Sequence, residues 1–252
     1  MPKFENAVLV ERIDFTPELA VFRLAPQTPL LFKPGQFATL AVEESGRLLQ
    51  RAYSIASAPH EPLLEFFVEL VPEGLLTPRL WDLKPGDKVL VRDRAAGSFL
   101  LDRGSEKLTK HMMMATVTGI APFVSMLRSH SSELPRSPGS GESFLLLQGA
   151  SYSHEFGYYR DELKELSEDG WLTYVDTVSR PADNPGWTGE VGRVDDLIRK
   201  YAWLGGYDHT NSVAYACGHP IMVENARAIL SRARFGKGQI HSEKYFTVRG
   251  LK

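Results

Sequence analysis

The chain has 252 residues, enough for two modest domains that each bury a core. Its formal net charge of −2 excludes the basic excess typical of a nucleic-acid-binding protein. The single cysteine, Cys217, excludes a disulfide framework and a cysteine-ligated zinc or iron–sulfur site within the chain. The chain begins without a signal-peptide pattern and contains no apolar run typical of a membrane span, so a cytoplasmic location is expected.

The first hundred residues have the pattern of short β-strands. Apolar runs alternate with glycine- and proline-containing turn signals, as at 33–35 and 84–87. Several strands at this spacing predict a small closed antiparallel barrel or sandwich. The predicted strands cover 7–10, 20–24, 37–42, 63–70 and 88–92, with a further strand ending near 54 and a short helix over 77–83.

From about residue 108 the pattern changes to alternating strands and helices. This alternation predicts a parallel sheet with helices on both faces. The predicted strands are 111–115, 143–147, 172–178 and 212–216, and the predicted helices are 122–128, 156–166, 193–201 and 220–233. With residues 99–107 as the expected linker, the two domains are predicted to span 1–103 and 108–252.

Residues 51–54, Arg-Ala-Tyr-Ser, stand at the end of a β-run. Because a strand alternates its faces, Arg51 and Tyr53 point the same way. A fixed cation and a flat aromatic ring suit a flavin nucleotide, which offers phosphates and a planar ring system. Ser54 would contact the edge of that ring near N5. Taken alone, four such residues are more often an ordinary half-exposed strand.

Two strand-to-helix turns, 115–123 and 215–222, stand out in the second half. Ligands of open α/β sheets bind beyond the carboxyl ends of the strands, where helix N–H groups attract pyrophosphate. Thr118 and Cys217 are therefore expected to face one crevice. An ordinary turn and a packed, buried cysteine are the alternative interpretations. No G-x-G-x-x-G motif occurs, and nothing supplies Cys217 with a base that would make it a nucleophile.

With the aromatic pair Tyr245 and Phe246 near the end, these motifs resemble those of bacterial-type ferredoxin–NADP(H) reductases. That family carries R-x-Y-S on a flavin-binding barrel, then G-T-G-x-A-P and C-G-x-P on a pyridine-nucleotide domain. The motifs occur here in the same order and at similar spacing, across both domains. The resemblance implies a β + α/β fold: an N-terminal antiparallel β-barrel that binds FAD, then a Rossmann-like parallel-sheet domain that binds NADP(H). It also implies a C-terminal tail that returns to the flavin.

The resemblance assigns residues to FAD. Arg51 would bind the pyrophosphate, Tyr53 would stack on one face of the ring and Ser54 would lie near N5. Tyr245 would lie near the other face and Phe246 near the adenine. Family members use a G-x-x-[ST] turn for the FAD phosphates, which residues 74–77 match. The implied FAD set is Arg51, Ala52, Tyr53, Ser54, Phe67, Gly74, Leu75, Leu76, Thr77, Tyr245 and Phe246.

The resemblance also assigns residues to NADP(H). Arg180 and Arg193 resemble family positions that hold the ribose 2′-phosphate, and paired guanidinium groups suit a dianionic phosphate. The implied nucleotide set is Thr118, Gly119, Ser151, Arg180, Arg193, Cys217 and Gly218. The residues expected nearest to the chemistry are Tyr53, Ser54, Cys217 and Tyr245.

Two residues depart from the family pattern. Val117 replaces the first glycine of G-T-G, and a β-branched residue with φ > 0 would be strained by about 1–3 kcal/mol. Ser151 stands where many bacterial members have an arginine for the 2′-phosphate, and it supplies no charge. A preference for NADPH over NADH is therefore expected to rest on Arg180 and Arg193.

The implied reaction passes a hydride from NADPH to FAD and single electrons to ferredoxin or flavodoxin, reversibly. With one cysteine the chain holds no cluster of its own, so the one-electron partner is separate. Three alternatives stay open: a related flavin reductase with another acceptor, a flavin-binding module without nicotinamide activity, and a flavin-free barrel. The seven histidines are dispersed, so no metal site is expected. No nucleic acid or membrane partner is expected, and the oligomeric state stays open with a monomer favoured.

Overall fold

The computed structural model describes residues 3–102, 107–133 and 141–245. These residues form two compact units. The first unit contains residues 3–101 together with the helical segment Ala121–Ser132, and the second contains the rest. This grouping differs from the predicted boundaries because the helical segment joins the first unit. Phe246 lies outside the described residues, and none of the described helices is long and apolar enough to cross a membrane.

The first unit is built on six antiparallel strands. Alternating apolar residues give each strand one face for the core. The sheet has the order β4-β3-β6-β1-β2-β5, and the outer strands β4 and β5 approach each other, which closes the sheet into the predicted barrel. The strands are β1 Phe4–Thr16, β2 Leu19–Pro26, β3 Phe37–Glu44, β4 Arg47–Ser54, β5 Leu64–Glu69 and β6 Lys88–Arg92.

The barrel core consists of inward side chains such as Leu9, Phe22 and Phe66, each no more than 1% exposed. A short helix, α1 (Thr77–Trp81), covers one part of it with Leu80. Pro78 occupies the first turn of α1, as predicted, because proline needs no hydrogen-bond acceptor there. The helix ends at Trp81, before the predicted residue 83.

A charged contact explains why the helix α2 (Ala121–Glu133) joins the barrel unit. The Glu65 carboxylate on β5 is 4% exposed and accepts a hydrogen bond from Arg23 Nε at 2.8 Å. It also pairs with Arg128 Nη1 of α2 at 3.1 Å. One turn earlier, Ser125 Oγ donates to the Ser57 carbonyl at 2.7 Å. A buried carboxylate requires such partners, so these contacts position α2 on the barrel.

The second unit is a parallel six-stranded sheet with the order β10-β9-β8-β7-β11-β12. Strand order reverses at β7, since β8 lies on one side of it and β11 on the other. The carboxyl ends of β7 and β11 therefore form the switch point at which open α/β sheets bind ligands. The strands are β7 Lys110–Thr116, β8 Ser143–Ala150, β9 Leu172–Val178, β10 Glu190–Val191, β11 Ser212–Gly218 and β12 Ile240–Lys244.

The helices of this unit are α3 (Tyr159–Ser167), α4 (Val194–Gly205) and α5 (Pro220–Arg232). One predicted helix, 156–166, is divided into a 3₁₀ turn, Ser153–Phe156, and α3, because Gly157 between them has φ +59°. The strands β10 and β12 were not predicted from the sequence. β10 has two residues, and β12 (Ile-His-Ser-Glu-Lys) has no apolar run and lies at the edge of the sheet.

We predict that replacement of the buried carboxylate, Glu65→Gln, lowers the free energy of unfolding by about 2–3 kcal/mol, because Arg23 and Arg128 both lose the buried anion that they contact. The matched control is Glu11→Gln. Glu11 bonds the same Arg23 at 2.8 Å but is 49% exposed, so the cost is below about 1 kcal/mol. Denaturant unfolding of both variants tests this, and equal losses would contradict it.

Candidate functional site

Arg51 and Tyr53 lie on one face of β4, as strand alternation predicts. Their partners on β3 are Leu40 and Ala38, which face the barrel core. Tyr53 packs against that core, and burial raises the pKa of its phenol well above the ordinary value, so the ring is neutral. The Arg51 side chain is exposed; its Nη1 donates to the Gln50 carbonyl at 2.8 Å, and no described carboxylate pairs with it. A neutral ring and an uncompensated cation therefore stand side by side.

Two of the three neighbouring candidates on the barrel, Ser54 and Phe67, are buried. Ser54 ends β4, is 6% exposed and lies on the opposite face from Tyr53. Phe67 on β5 is 4% exposed and packs edge-on against Phe15, with ring centroids 5.9 Å apart. Ala52, between Arg51 and Tyr53, is exposed. The assignment of Ala52, Ser54 and Phe67 to FAD stays a prediction.

The Thr77 side chain closes the turn at residues 74–77. Thr77 Oγ1 donates to the Val71 carbonyl at 3.1 Å and accepts from the Val71 N–H at 3.0 Å. A Cβ on Gly74 would lie 2.9 Å from the same carbonyl, so only glycine fits. Leu76 is buried and Leu75 is 56% exposed. The Thr77 hydroxyl shapes the turn, which leaves the N–H groups at the start of α1 as the groups suited to a phosphate.

In the second unit, the turns after β7 and β11 are in backbone contact. A Cβ on Gly119 would lie 2.3 Å from the Cys217 carbonyl oxygen. A Cβ on Gly218, whose φ is +125°, would lie 2.3 Å from Thr116 Oγ1. The same Oγ1 accepts the His219 N–H at 2.8 Å, which joins the two turns. The structure thus brings the predicted turns of Thr118 and Cys217 together, with Thr118 8% exposed.

Val117 adopts φ +41°, the left-handed conformation that favours glycine. The departure from the glycine pattern therefore carries backbone strain of about 1–3 kcal/mol. The side chain packs against a small apolar cluster that contains Ala150, Phe156 and Val178, and this burial offsets part of the strain. Val117 begins a 3₁₀ turn, Val117–Ile120, that precedes α2.

Cys217 is fully buried and neutral. Burial raises the pKa of its thiol well above the ordinary value, and the charge of Glu243 raises it further, although a hydrogen bond with Tyr245 acts in the opposite direction. The Tyr245 N–H donates to the Gly218 carbonyl at 2.9 Å, which places Tyr245 at the carboxyl end of β11. A neutral thiol is a poor nucleophile, in agreement with the sequence analysis.

The turns after β8 and β9 form a second connected group. Arg180 Nη1 donates to the Tyr152 hydroxyl at 2.6 Å, and its guanidinium lies 5.3 Å from the centre of that ring. The buried Asn184 joins the turns: its Nδ2 donates to the carbonyls of Ser151 (3.1 Å) and Arg180 (2.7 Å). The Glu155 carboxylate accepts the Ser151 N–H at 2.7 Å.

Arg193 immediately precedes α4 and lies outside this group of connected turns. Its Nε donates to Asp195 Oδ1 at 3.2 Å, and the other oxygen of this buried carboxylate accepts from Asn225 Nδ2 at 2.7 Å. The structure thus gives Arg193 a fixed anionic partner. Sequence reasoning missed Tyr152, Asn184 and Asp195, although an aspartate in the first turn of a helix is a recognisable stabilising signal.

The arrangement suits cofactor binding. In the described ranges, no group of histidine, cysteine, aspartate or glutamate side chains is placed to hold a metal ion. The uncompensated Arg51 beside a neutral tyrosine ring fits a flavin nucleotide, and the switch point between β7 and β11 fits a dinucleotide.

Known protein families match both units of the chain. A family model for the oxidoreductase FAD-binding domain matches residues 6–97, and one for the oxidoreductase NAD-binding domain matches residues 113–228. The flavodoxin/ferredoxin–NADP reductase of Escherichia coli is 34% identical over 212 residues, which cover 82% of this chain and 83% of that protein.

Two solved structures extend the comparison. The ferredoxin NADP⁺ reductase of Neisseria gonorrhoeae, with bound FAD and NADP, has a TM-score of 0.84 and 26% identity, covering 98% of this chain and 100% of that one. The cytochrome P450 reductase of Amycolatopsis has a TM-score of 0.80 and 25% identity, covering 97% of this chain and 71% of that one. The sequence matches run through both units and agree with the fold and the motifs, and they show that this chain belongs to the ferredoxin/flavodoxin–NADP reductase family.

Proposed function

We propose that the protein is an FAD-dependent reductase that takes a hydride from NADPH and delivers single electrons to ferredoxin or flavodoxin. The observation that carries this proposal is the pair on β4: an exposed guanidinium that no carboxylate among the described residues pairs with, beside a neutral, half-buried tyrosine ring. Membership of the family supports the same reaction.

On this proposal, the barrel unit holds FAD. Arg51 binds the pyrophosphate, Tyr53 supports one face of the ring, and Ser54 lies near its N5 edge. Residues 74–77 bind phosphate through peptide N–H groups, because the Thr77 hydroxyl is bonded to Val71. When bound, FAD supplies the ability to accept a hydride and release electrons singly. The raised pKa of Tyr53 keeps its ring uncharged, so it adds no negative charge next to the flavin. Ala52, Phe67 and Phe246 complete the proposed FAD set.

The second unit holds NADPH at the switch point. Thr118 and Gly119 meet the pyrophosphate, and Cys217 and Gly218 line the opposite turn. Cys217 acts as a small neutral side chain that leaves room for the nicotinamide. Tyr245, which forms a hydrogen bond with Cys217, lies near the flavin ring. Arg180 and Arg193, with Ser151 beside them, are the candidates for the 2′-phosphate end.

The partner and the location follow from the same proposal. The one-electron acceptor is a separate ferredoxin or flavodoxin, and the protein is cytoplasmic. The resemblance to the E. coli enzyme and the single cysteine support these statements.

A second candidate is a related reductase that serves another acceptor. The likeness to the Amycolatopsis cytochrome P450 reductase favours it, since that protein shares the fold at 25% identity. The two candidates share their cofactors and differ in the protein that receives electrons, so stopped-flow comparison of purified acceptors distinguishes them.

The purified protein is expected to be yellow and to lose its flavin absorbance after one equivalent of NADPH without oxygen. A visible spectrum before and after the addition measures this. A colourless protein, expressed with flavin available, would refute the proposal. A yellow protein whose flavin absorbance NADPH does not change would favour the alternative of a flavin-binding module without nicotinamide activity.

Loss of the β4 cation, Arg51→Ala, is expected to weaken FAD binding about 10- to 100-fold, because a charged phosphate contact contributes about 1.5–3 kcal/mol. The matched control is Arg47→Ala, which removes an exposed arginine from the start of the same strand. FAD titration of the apoproteins, followed by flavin fluorescence, gives the dissociation constants. The proposed role fails if both variants bind FAD like the parent protein.

Cys217 is expected to resist alkylation in the folded protein at pH 8 and to react fully after unfolding, because burial raises the thiol pKa. Since the pKa is raised on folding, thiol ionisation favours the unfolded chain as the pH increases above the ordinary thiol value. Mass spectrometry after iodoacetamide treatment measures the labelled fraction. Rapid native labelling would contradict the buried, neutral assignment.

A further inference from the structure

Three positions are candidates for the ribose 2′-phosphate of the nucleotide: Ser151, Arg180 and Arg193. The inference below rests on the proposed function and concerns which nucleotides the protein accepts. The three positions differ in the charge that surrounds them. That difference decides how strongly a 2′-phosphate is preferred over the hydroxyl of NADH.

Arg193 brings little net positive charge. Its guanidinium is paired with Asp195, whose side chain is 5% exposed and fixed by Asn225 at 2.7 Å. A phosphate that approaches Arg193 also approaches this buried carboxylate. The attraction to the cation is therefore offset by repulsion from the anion.

The turn at Ser151 is already occupied by an anion from the chain itself. Glu155 Oε2 accepts the N–H groups of Ser151 at 2.7 Å and Tyr152 at 2.8 Å. Peptide N–H groups at such a turn are those that would otherwise receive a phosphate oxygen. The carboxylate satisfies them and adds a negative charge, so this turn does not favour a 2′-phosphate.

Arg180 is different, because no carboxylate in the described part of the chain pairs with it. Its guanidinium is held by a neutral group, the Tyr152 hydroxyl, at 2.6 Å. The Tyr152 ring is itself stacked on His154, with centroids 5.4 Å apart and planes 5° from parallel. Asn184, 6% exposed, fixes the backbone on both sides: it bonds the carbonyls of Ser151 and Arg180 and accepts the Ser153 N–H at 2.6 Å.

We propose that Arg180 alone, positioned by Tyr152, selects for the 2′-phosphate, and that the protein therefore uses NADH as well as NADPH. Both nucleotides transfer the same hydride, a proton together with two electrons, from nicotinamide C4. The nucleotide is oxidised and FAD is reduced in either case. One charged arginine contact corresponds to a preference for NADPH of about 10- to 100-fold in kcat/KM.

The first test is steady-state reduction of ferricyanide by the holoenzyme with each nucleotide. Arg180→Ala is expected to lower kcat/KM for NADPH to within about threefold of the value for NADH. Arg193→Ala is expected to change the NADPH-to-NADH ratio by less than about threefold. The matched control is Arg199→Ala, an exposed arginine of α4. A ratio that survives loss of Arg180, or that falls equally with loss of Arg193, overturns the proposal.

The second test addresses Tyr152 as a positioning residue. Tyr152→Phe keeps the ring and removes the hydroxyl that holds Arg180. Calorimetric titration of the holoenzyme with 2′,5′-ADP is expected to show binding several-fold weaker than in the parent protein, with 5′-AMP binding and kcat unchanged. Equal weakening of both probes would indicate a structural role and would contradict the assignment.

The two levels of the proposal fail differently. If neither nucleotide bleaches the flavin anaerobically, the proposed reductase function fails and this inference fails with it. If NADPH bleaches the flavin and NADH does not at a hundredfold higher concentration, the reductase function stands and the shared use of NADH is refuted.

Discussion

The close backbone contact between the turns after β7 and β11 is the constraint on which the nucleotide half of the molecule depends. Gly119 and Gly218 each lack a Cβ at a point where one would lie 2.3 Å from the opposite turn. The contact fixes the carboxyl ends of the two strands that flank the switch point, and it leaves Cys217 buried beneath them. Val117, with its strained φ of +41°, begins the turn that carries Gly119.

Electrostatics at the edge of the second unit are set largely by the chain's own carboxylates. Asp195 pairs with Arg193, and Glu155 takes the peptide N–H groups of the Ser151 turn. Both carboxylates stabilise local structure, one at the start of α4 and the other in the turn after β8. Each thereby removes a position that would otherwise attract an anion. Arg180, held by a neutral phenol, keeps its charge available. The proposed selectivity at this edge would thus result from how the turns are stabilised.

The helix α2 is the point in the chain at which a segment of the second unit is followed by a segment of the barrel unit. It begins directly after the turn that contains Gly119, a turn of the second unit, and from Ala121 to Ser132 it belongs to the barrel unit. The buried Glu65, bonded to Arg23 and Arg128, fixes this helix on β5. Because a carboxylate at 4% exposure requires compensation, the position of α2 on the barrel is determined by charge as well as by apolar packing.

The sequence by itself determined the two-part architecture, the β4 pair and the two nucleotide turns, because these depend on local alternation, turn residues and short motifs. Alternation placed Arg51 and Tyr53 on one face, and the strand–helix rhythm predicted the parallel sheet. Only the tertiary structure decided which partner each of the described groups Arg193, Ser151 and Arg180 bonds, since Asp195, Glu155 and Tyr152 act through side-chain geometry that spacing does not encode. It also decided that α2 joins the barrel, through Glu65 and Arg128, which lie 63 positions apart in the chain. Such pairings depend on the whole fold, whereas strand alternation requires only neighbouring residues.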